Sequence, residues 1–290
     1  VHIPSYRRIL ALPCRPQVVT IHDLAPFRLA GKYDRMRMLY GRQVVKRLAR
    51  RATQIIAISR STAAAIREFF SIGDERVTLV YNGIDHARFR PLPPEEVRAR
   101  LPVTAGWKDG WWVYVARLEH PGKNHLRLIK AFERLCGEAP LTAGQLVLAG
   151  ADWHGAETIR EAVARSAARE RIHLAGFVTD DELPAWYSGA KALVFPSLFE
   201  GFGLPPIEAM ACGCPVLSSD RGSLPEVVGD AARIFDPEDP AAIAAAMFEL
   251  SHSRKQQEEL RAAGLARAGE FRWERCARET ISLYRKAHGG

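Results

Sequence analysis

The stretch VFPSLFEGFGLPPIEAMACGCPV, residues 194–216, decides how the rest of the chain is read. An apolar run ending at Pro196 has strand character. A Gly-Phe-Gly turn follows, then a double proline, an amphipathic segment and a second apolar run from Pro215. Strand, glycine turn, helix and strand in that order form the unit of a parallel sheet, whose ligands collect at the carboxyl ends of strands, where loops lead into helix N-termini. Pro205 and Pro206 suit the first helical turn, where a missing N–H costs little, and Gly201 and Gly203 let backbone amides approach a ligand. Glu200 and Glu208 flank the turn. Their spacing alone carries little, because loop acids are usually solvated and a glutamate in a first helical turn compensates the macrodipole; the reading expects Glu208 in that first turn. The glycines and prolines between them make the turn one that faces something.

Working outward, the same alternation runs through residues 111–270. Strands are expected at 111–116, 144–150, 172–176, 192–196, 215–219 and 231–236, with helices between them and at 240–251 and 255–269. This predicts a doubly wound sheet of about six strands. Upstream, strands at 18–22, 54–59 and 77–82, with helices near 34–51 and 60–70, give half of a second such domain. VHIPSY, at the start, reads as the tail of a strand, so the chain is expected to begin inside a domain. Residues 86–110, with FRPLPPEE and no core strand, read as a linker. The expected organisation is a partial N-terminal domain over 1–85, the linker over 86–110, a C-terminal domain over 111–270, and a last helix over 271–290 that packs back on the first domain.

The 290 residues, 47% hydrophobic and 26% charged, suffice for two ordinary cores. No run reaches the roughly 18 apolar residues of a membrane span, and the start lacks a signal-peptide pattern, so export is not expected. The cysteines, Cys14, Cys136, Cys212, Cys214 and Cys276, lack metal-ligand spacing and read as reduced thiols. A net charge of +8 favours an anionic partner without choosing among nucleotide, lipid and nucleic acid. The basic segment 34–51 fits either a peripheral helix on an anionic membrane or a crossover helix with a basic outer face.

Among candidate site residues, Arg117 and Lys123 lie in VARLEHPGKNH at the end of the first strand of the second series. There an Arg fork and a Lys point charge can grip an anion, although solvated surface cations look the same in sequence. With no Asp-x-Asp and no Walker lysine loop, a divalent metal has no evident carboxylate seat, so fixed cations would neutralise a phosphate. His22 ends the strand at 18–22 and fits either a ligand contact or a turn cap. A dinucleotide-binding oxidoreductase is disfavoured, because no G-x-G-x-x-G follows an N-terminal strand.

TIHDL (20–24), IIAISRST (55–62), VYNGID (80–85), VARLEHPGKNH (115–125), HLAGFVTDDEL (173–183), the opening stretch and GSLPEVVGDAARIFDPED (222–239) together resemble the family 4 retaining glycosyltransferases, which have the two-domain GT-B fold. The resemblance implies two Rossmann-like α/β domains facing a cleft, the first incomplete here. It implies that Arg117 and Lys123 bind the diphosphate of a nucleotide sugar, without metal or other cofactor, and that Glu208 accepts the ribose hydroxyls. Glu200, the amides of Gly201, Phe202 and Gly203, and Leu204 would hold the transferred sugar and distal phosphate. Backbone at Gly176, Phe177 and Val178 would read the base, and His22 would reach the donor sugar. TIHDL and KNH look like the forms in bacterial polysaccharide mannosyltransferases using GDP-mannose, with UDP-sugars left open. Expected partners are the donor and a glycan or lipid-linked acceptor, not nucleic acid, in the cytoplasm or at the inner face of the membrane, with a further N-terminal segment or second chain completing the first domain. A non-enzymatic basic protein binding nucleotide, anionic lipid or nucleic acid is the rival reading.

Overall fold

The computed structural model describes residues 1–5, 16–28, 44–107 and 109–289. The chain forms two compact units: Val1–Gly83 with Phe199–Gly203 and Phe271–Gly290, and Ile84–Leu198 with Leu204–Glu270.

In the first unit, four parallel strands lie in the order β1 (His2–Ile3), β2 (Val18–Ile21), β3 (Gln54–Ala57) and β4 (Val77–Leu79). A sheet buried on both faces needs apolar side chains at successive positions, and β2 and β3 supply them. Val19, Ile21, Ile55 and Ala57 turn to one face and pack with Leu24, Val45, Ala49, Ile66 and Phe70. Val18 and Ile56 turn to the other, where Leu283 and Ala287 of the last helix cover them. The segment 271–290 therefore packs on this sheet through an apolar stripe at helical spacing. The helix Arg60–Ala65, extended by a π turn over Ile66–Phe70, starts at Ser59, whose hydroxyl accepts from the Thr62 amide at 3.0 Å and satisfies one orphan donor. Most of the basic segment expected at 34–51 falls outside the described residues. Its described end forms the short helix Lys46–Ala49, with Ala49 buried in the core.

The second unit holds six parallel strands, β5 (Trp111–Val115), β6 (Gln145–Ala149), β7 (Ile172–Gly176), β8 (Ala192–Phe195), β9 (Val216–Ser219) and β10 (Arg233–Phe235), in the order β10-β9-β8-β5-β6-β7. Strand order reverses between β5 and β8, the switch point at which an open α/β sheet leaves a crevice. The stretch 86–110 is not an extended linker. It contains the helix Pro94–Arg100 and a 3₁₀ turn over Pro102–Gly106, with Leu92, Val97, Leu101 and Thr104 buried in this unit. Its prolines suggested a break, yet Pro94 stands at the start of the helix, where proline's fixed φ is already helical.

Among the described residues, no helix is long and apolar enough to cross a membrane. The described cysteines Cys136, Cys212, Cys214 and Cys276 are free thiols; Cys14 lies outside the described residues.

Candidate functional site

The loops leaving the switch point of the second unit are stitched together by buried hydrogen bonds. Tyr114, fully buried on β5, sends its hydroxyl to the Lys123 carbonyl at 2.6 Å and lies 3.1 Å from Ser197 Oγ. Asn124 takes a left-handed backbone, φ 62°, immediately before the helix His125–Glu138. Its side-chain amide donates to Pro196 O at 2.9 Å and Pro237 O at 2.7 Å. The Leu198 amide donates to Gly122 O at 3.0 Å. Lys123 thus stands on backbone fixed from both sides, and Asn124, which sequence reasoning passed over except as part of the KNH form, does much of the fixing. The signal lay in its type: Asn is one of the few residues that tolerate positive φ at a helix start.

Arg117 is exposed just beyond β5. Its guanidinium lies 4.5 Å from the centroid of the Trp153 ring, and its Nη2 is 3.5 Å from Oε2 of Glu119, a carboxylate almost wholly buried. A buried acid thus lies close to one of the candidate cations.

Glu208 differs from the sequence expectation. The helix runs Leu204–Ala211 with no acid in its first turn, so Glu208 sits in the second turn and compensation of the macrodipole does not explain it. Oε2 accepts a hydrogen bond from the buried Tyr187 hydroxyl at 3.3 Å. Burial pushes the carboxyl up to about 7; nearby Asp180 adds to the shift, while the Tyr187 bond and Arg88 oppose it. Arg88 itself pairs with Asp180 at 2.9 Å. A half-buried carboxyl at this value changes charge near neutral pH.

At the end of β7, the Gly176 carbonyl accepts from the Gly150 amide at 2.7 Å, Phe177 stands 74% exposed and Val178 is half-buried. Thr179 and Glu182 then form a local bracket, with the Glu182 carboxylate accepting from the Thr179 amide at 3.0 Å and its hydroxyl at 2.8 Å.

The remaining candidates, Leu204 apart, group with the first unit. The His22 Nε2 lies 2.8 Å from Pro4 O. A carbonyl only accepts, so this nitrogen carries the proton and Nδ1 presents a lone pair in the neutral ring. Gly201 packs so closely that a Cβ would collide with the His22 carbonyl oxygen, and the Thr62 hydroxyl lies 3.4 Å from both His22 O and Gly201 O. Phe202 is buried against Tyr81 and Phe271, at ring separations of 6.0 and 5.7 Å, so its side chain is part of a core and only its backbone is left for a ligand. Glu200 is half-buried and Gly203 buried, while Leu204 opens its helix in the second unit. Among the described residues no three His, Cys, Asp or Glu side chains gather as a metal cluster.

The family model for glycosyl transferases group 1 matches residues 107–267, and that for Glycosyltransferase Family 4 matches residues 1–88. O-antigen chain mannosyltransferase B of Escherichia coli is 32% identical over 271 residues, covering 92% of this chain and 70% of that protein. The serotype-specific mannosyltransferase WbdA of Escherichia coli is 32% identical over 269 residues, 91% of this chain and 32% of its own length. MMP alpha-(1->4)-mannosyltransferase of Mycolicibacterium hassiacum is 32% identical over 249 residues, 84% of this chain and 57% of its own. The chain thus spans between about a third and seven tenths of these relatives. Among solved structures, sucrose-phosphate synthase from Thermosynechococcus elongatus superposes with a TM-score of 0.80 at 24% identity, over 99% of this chain and 73% of that one. Anabaena HepE in complex with UDP and glucose gives 0.80 at 21%, over 94% and 72%. These structural likenesses carry the fold: two parallel-sheet α/β domains of the GT-B kind.

Proposed function

Because the chain belongs to the group 1 glycosyltransferases, we propose that it moves a sugar from a nucleoside diphosphate sugar to a glycan or lipid-linked acceptor in polysaccharide biosynthesis, with retention of configuration and without a metal. The observation that supports the reading is the stitched pair of loops at the β5/β8 switch point, on which Arg117 and Lys123 stand; a leaving diphosphate would draw on such fixed positive charge. GDP-mannose is the favoured donor, since the relatives at 32% identity are named mannosyltransferases. The net charge of +8 supports an anionic membrane surface as the place where a lipid-linked acceptor is met.

In this reading Glu208, as carboxylate, accepts the ribose hydroxyls, and backbone at Gly176–Val178 reads the base. Glu200, the amides of the 201–203 loop and the Nδ1 lone pair of His22 hold the transferred sugar. The bond from the anomeric carbon to the diphosphate oxygen breaks first, through an oxocarbenium-like state. The acceptor oxygen then bonds to the same face of that carbon, and its proton passes to the departing diphosphate. Arg117 and Lys123 work hardest here, because the negative charge develops on the group they hold.

The experiment is transfer from GDP-mannose, with UDP-glucose in parallel, to a mannoside acceptor in EDTA, with the product's anomeric configuration read by NMR. An α-mannoside from the α-linked donor is expected. An inverted product, or transfer only after a divalent metal is restored, would overturn the mechanism.

A further inference from the structure

Trp153 is a large apolar side chain left 57% exposed on a surface loop, outside the residues that motif reading singles out. Its placement is over-determined. Beyond β5 and β6 the two strands' loops continue to pair: Ala116 N donates to Ala149 O, Leu118 N to Ala151 O, Trp153 N to Leu118 O, and His120 N to His154 O, all within 2.9–3.2 Å. Leu118 and Asp152 form a parallel bridge. The approach requires glycine at 150, where a Cβ would collide with the Ala116 carbonyl oxygen. Asp152 is in turn tied to Arg160 by two contacts of 2.8 Å, which fixes the loop to the helix Ala156–Arg165.

The result of this zipper is a ring set 4.5 Å from the Arg117 guanidinium, with the buried Glu119 carboxylate at 3.5 Å from its Nη2. A ring face attracts a guanidinium through its quadrupole, and an exposed arginine otherwise samples many rotamers that a ligand must freeze. We propose that Trp153 is a positioning residue that, with Glu119 at the guanidinium's edge, holds Arg117 ready for the β-phosphate of a nucleoside diphosphate. This rests on the reading of Arg117 as a diphosphate ligand.

The test compares affinity for GDP and GMP by calorimetry, with UDP and UMP in parallel, in the full chain and in Arg117→Ala, Trp153→Leu and Trp153→Tyr. The ratio of GMP to GDP dissociation constants isolates the β-phosphate, and GMP affinity reports the fold of each variant. Arg117→Ala should collapse the ratio. Trp153→Leu, which keeps apolar bulk but has no ring face, should lower it roughly three- to tenfold with GMP affinity unchanged, and Trp153→Tyr should restore most of it. If Arg117→Ala collapses the ratio while Trp153→Leu leaves it at the wild-type value, or if Trp153→Leu weakens GMP and GDP equally, the positioning role is overturned. If Arg117→Ala leaves the ratio intact, the reading of Arg117 fails, and the proposal with it.

Discussion

The Tyr187 hydroxyl donates to Glu208 Oε2 at 3.3 Å within the second unit, joining a fully buried phenol to a half-buried carboxyl. Burial is the largest influence on both groups: it pushes the tyrosine well above its ordinary range and the glutamate up to about 7. A raised carboxyl keeps its proton in the folded state at pH values where the unfolded chain has lost it. Between the ordinary value of 4.5 and about 7, stability therefore falls as pH rises. Glu208→Gln preserves an acceptor for Tyr187 and removes the titration. Its melting temperature should match the wild type near the acid end of that window and exceed it above the neutral end. A difference independent of pH would remove Glu208 from the account of stability.

Binding of a nucleotide runs the other way. On the proposed role, in which the ionised Glu208 accepts from two ribose hydroxyls, GDP affinity should rise as pH passes upward through about 7. Glu208→Gln should bind roughly tenfold more weakly and lose the slope. Calorimetry at slightly acid and slightly alkaline pH checks both statements, and an unchanged slope in the variant assigns the pH dependence elsewhere.

Asn124 joins three segments of the second unit through Pro196 O and Pro237 O. Asn124→Ala strands both carbonyls and puts alanine at positive φ, a loss of about 2–4 kcal/mol in urea denaturation. Asn124→Gly relieves the backbone but not the hydrogen bonds, and should fall between alanine and wild type. Equal stability of all three would mean the amide is not a tie.

Gly201→Ala places a methyl group against the His22 carbonyl oxygen. The loop over 199–203 must then shift within the first unit, costing about 1–3 kcal/mol and disturbing Glu200 beside it. Turnover should fall more than nucleotide affinity, since the loop's proposed partner is the sugar. Equal losses in both would move the loop's role to the nucleotide.

The sheets were legible because parallel strands buried on both faces announce themselves as short apolar runs between glycine turns, as in Val18–Ile21 and Ala192–Phe195. Arg117 was legible as a type just beyond a strand end and Lys123 as one in the loop that follows, whereas Glu208, expected in the first helical turn, lies in the second. What the sequence hid is mostly tertiary. Phe202 reads as part of a ligand turn, yet its ring is packed between Tyr81 and Phe271, residues far from it along the chain. Trp153 and Asn124 carry no motif of their own, and their partners, Arg117, Pro196 and Pro237, are met only through the fold. The helix Pro94–Arg100 was masked by prolines that act as its start.

The central claim is that Arg117 and Lys123, not a metal, carry the diphosphate. It is tested most directly by the rise in melting temperature that GDP or UDP produces in EDTA, in the wild type and in Arg117→Ala and Lys123→Ala. The account predicts a rise that survives EDTA in the wild type and is largely lost in each variant. A rise abolished by EDTA, or one retained in both variants, would contradict it.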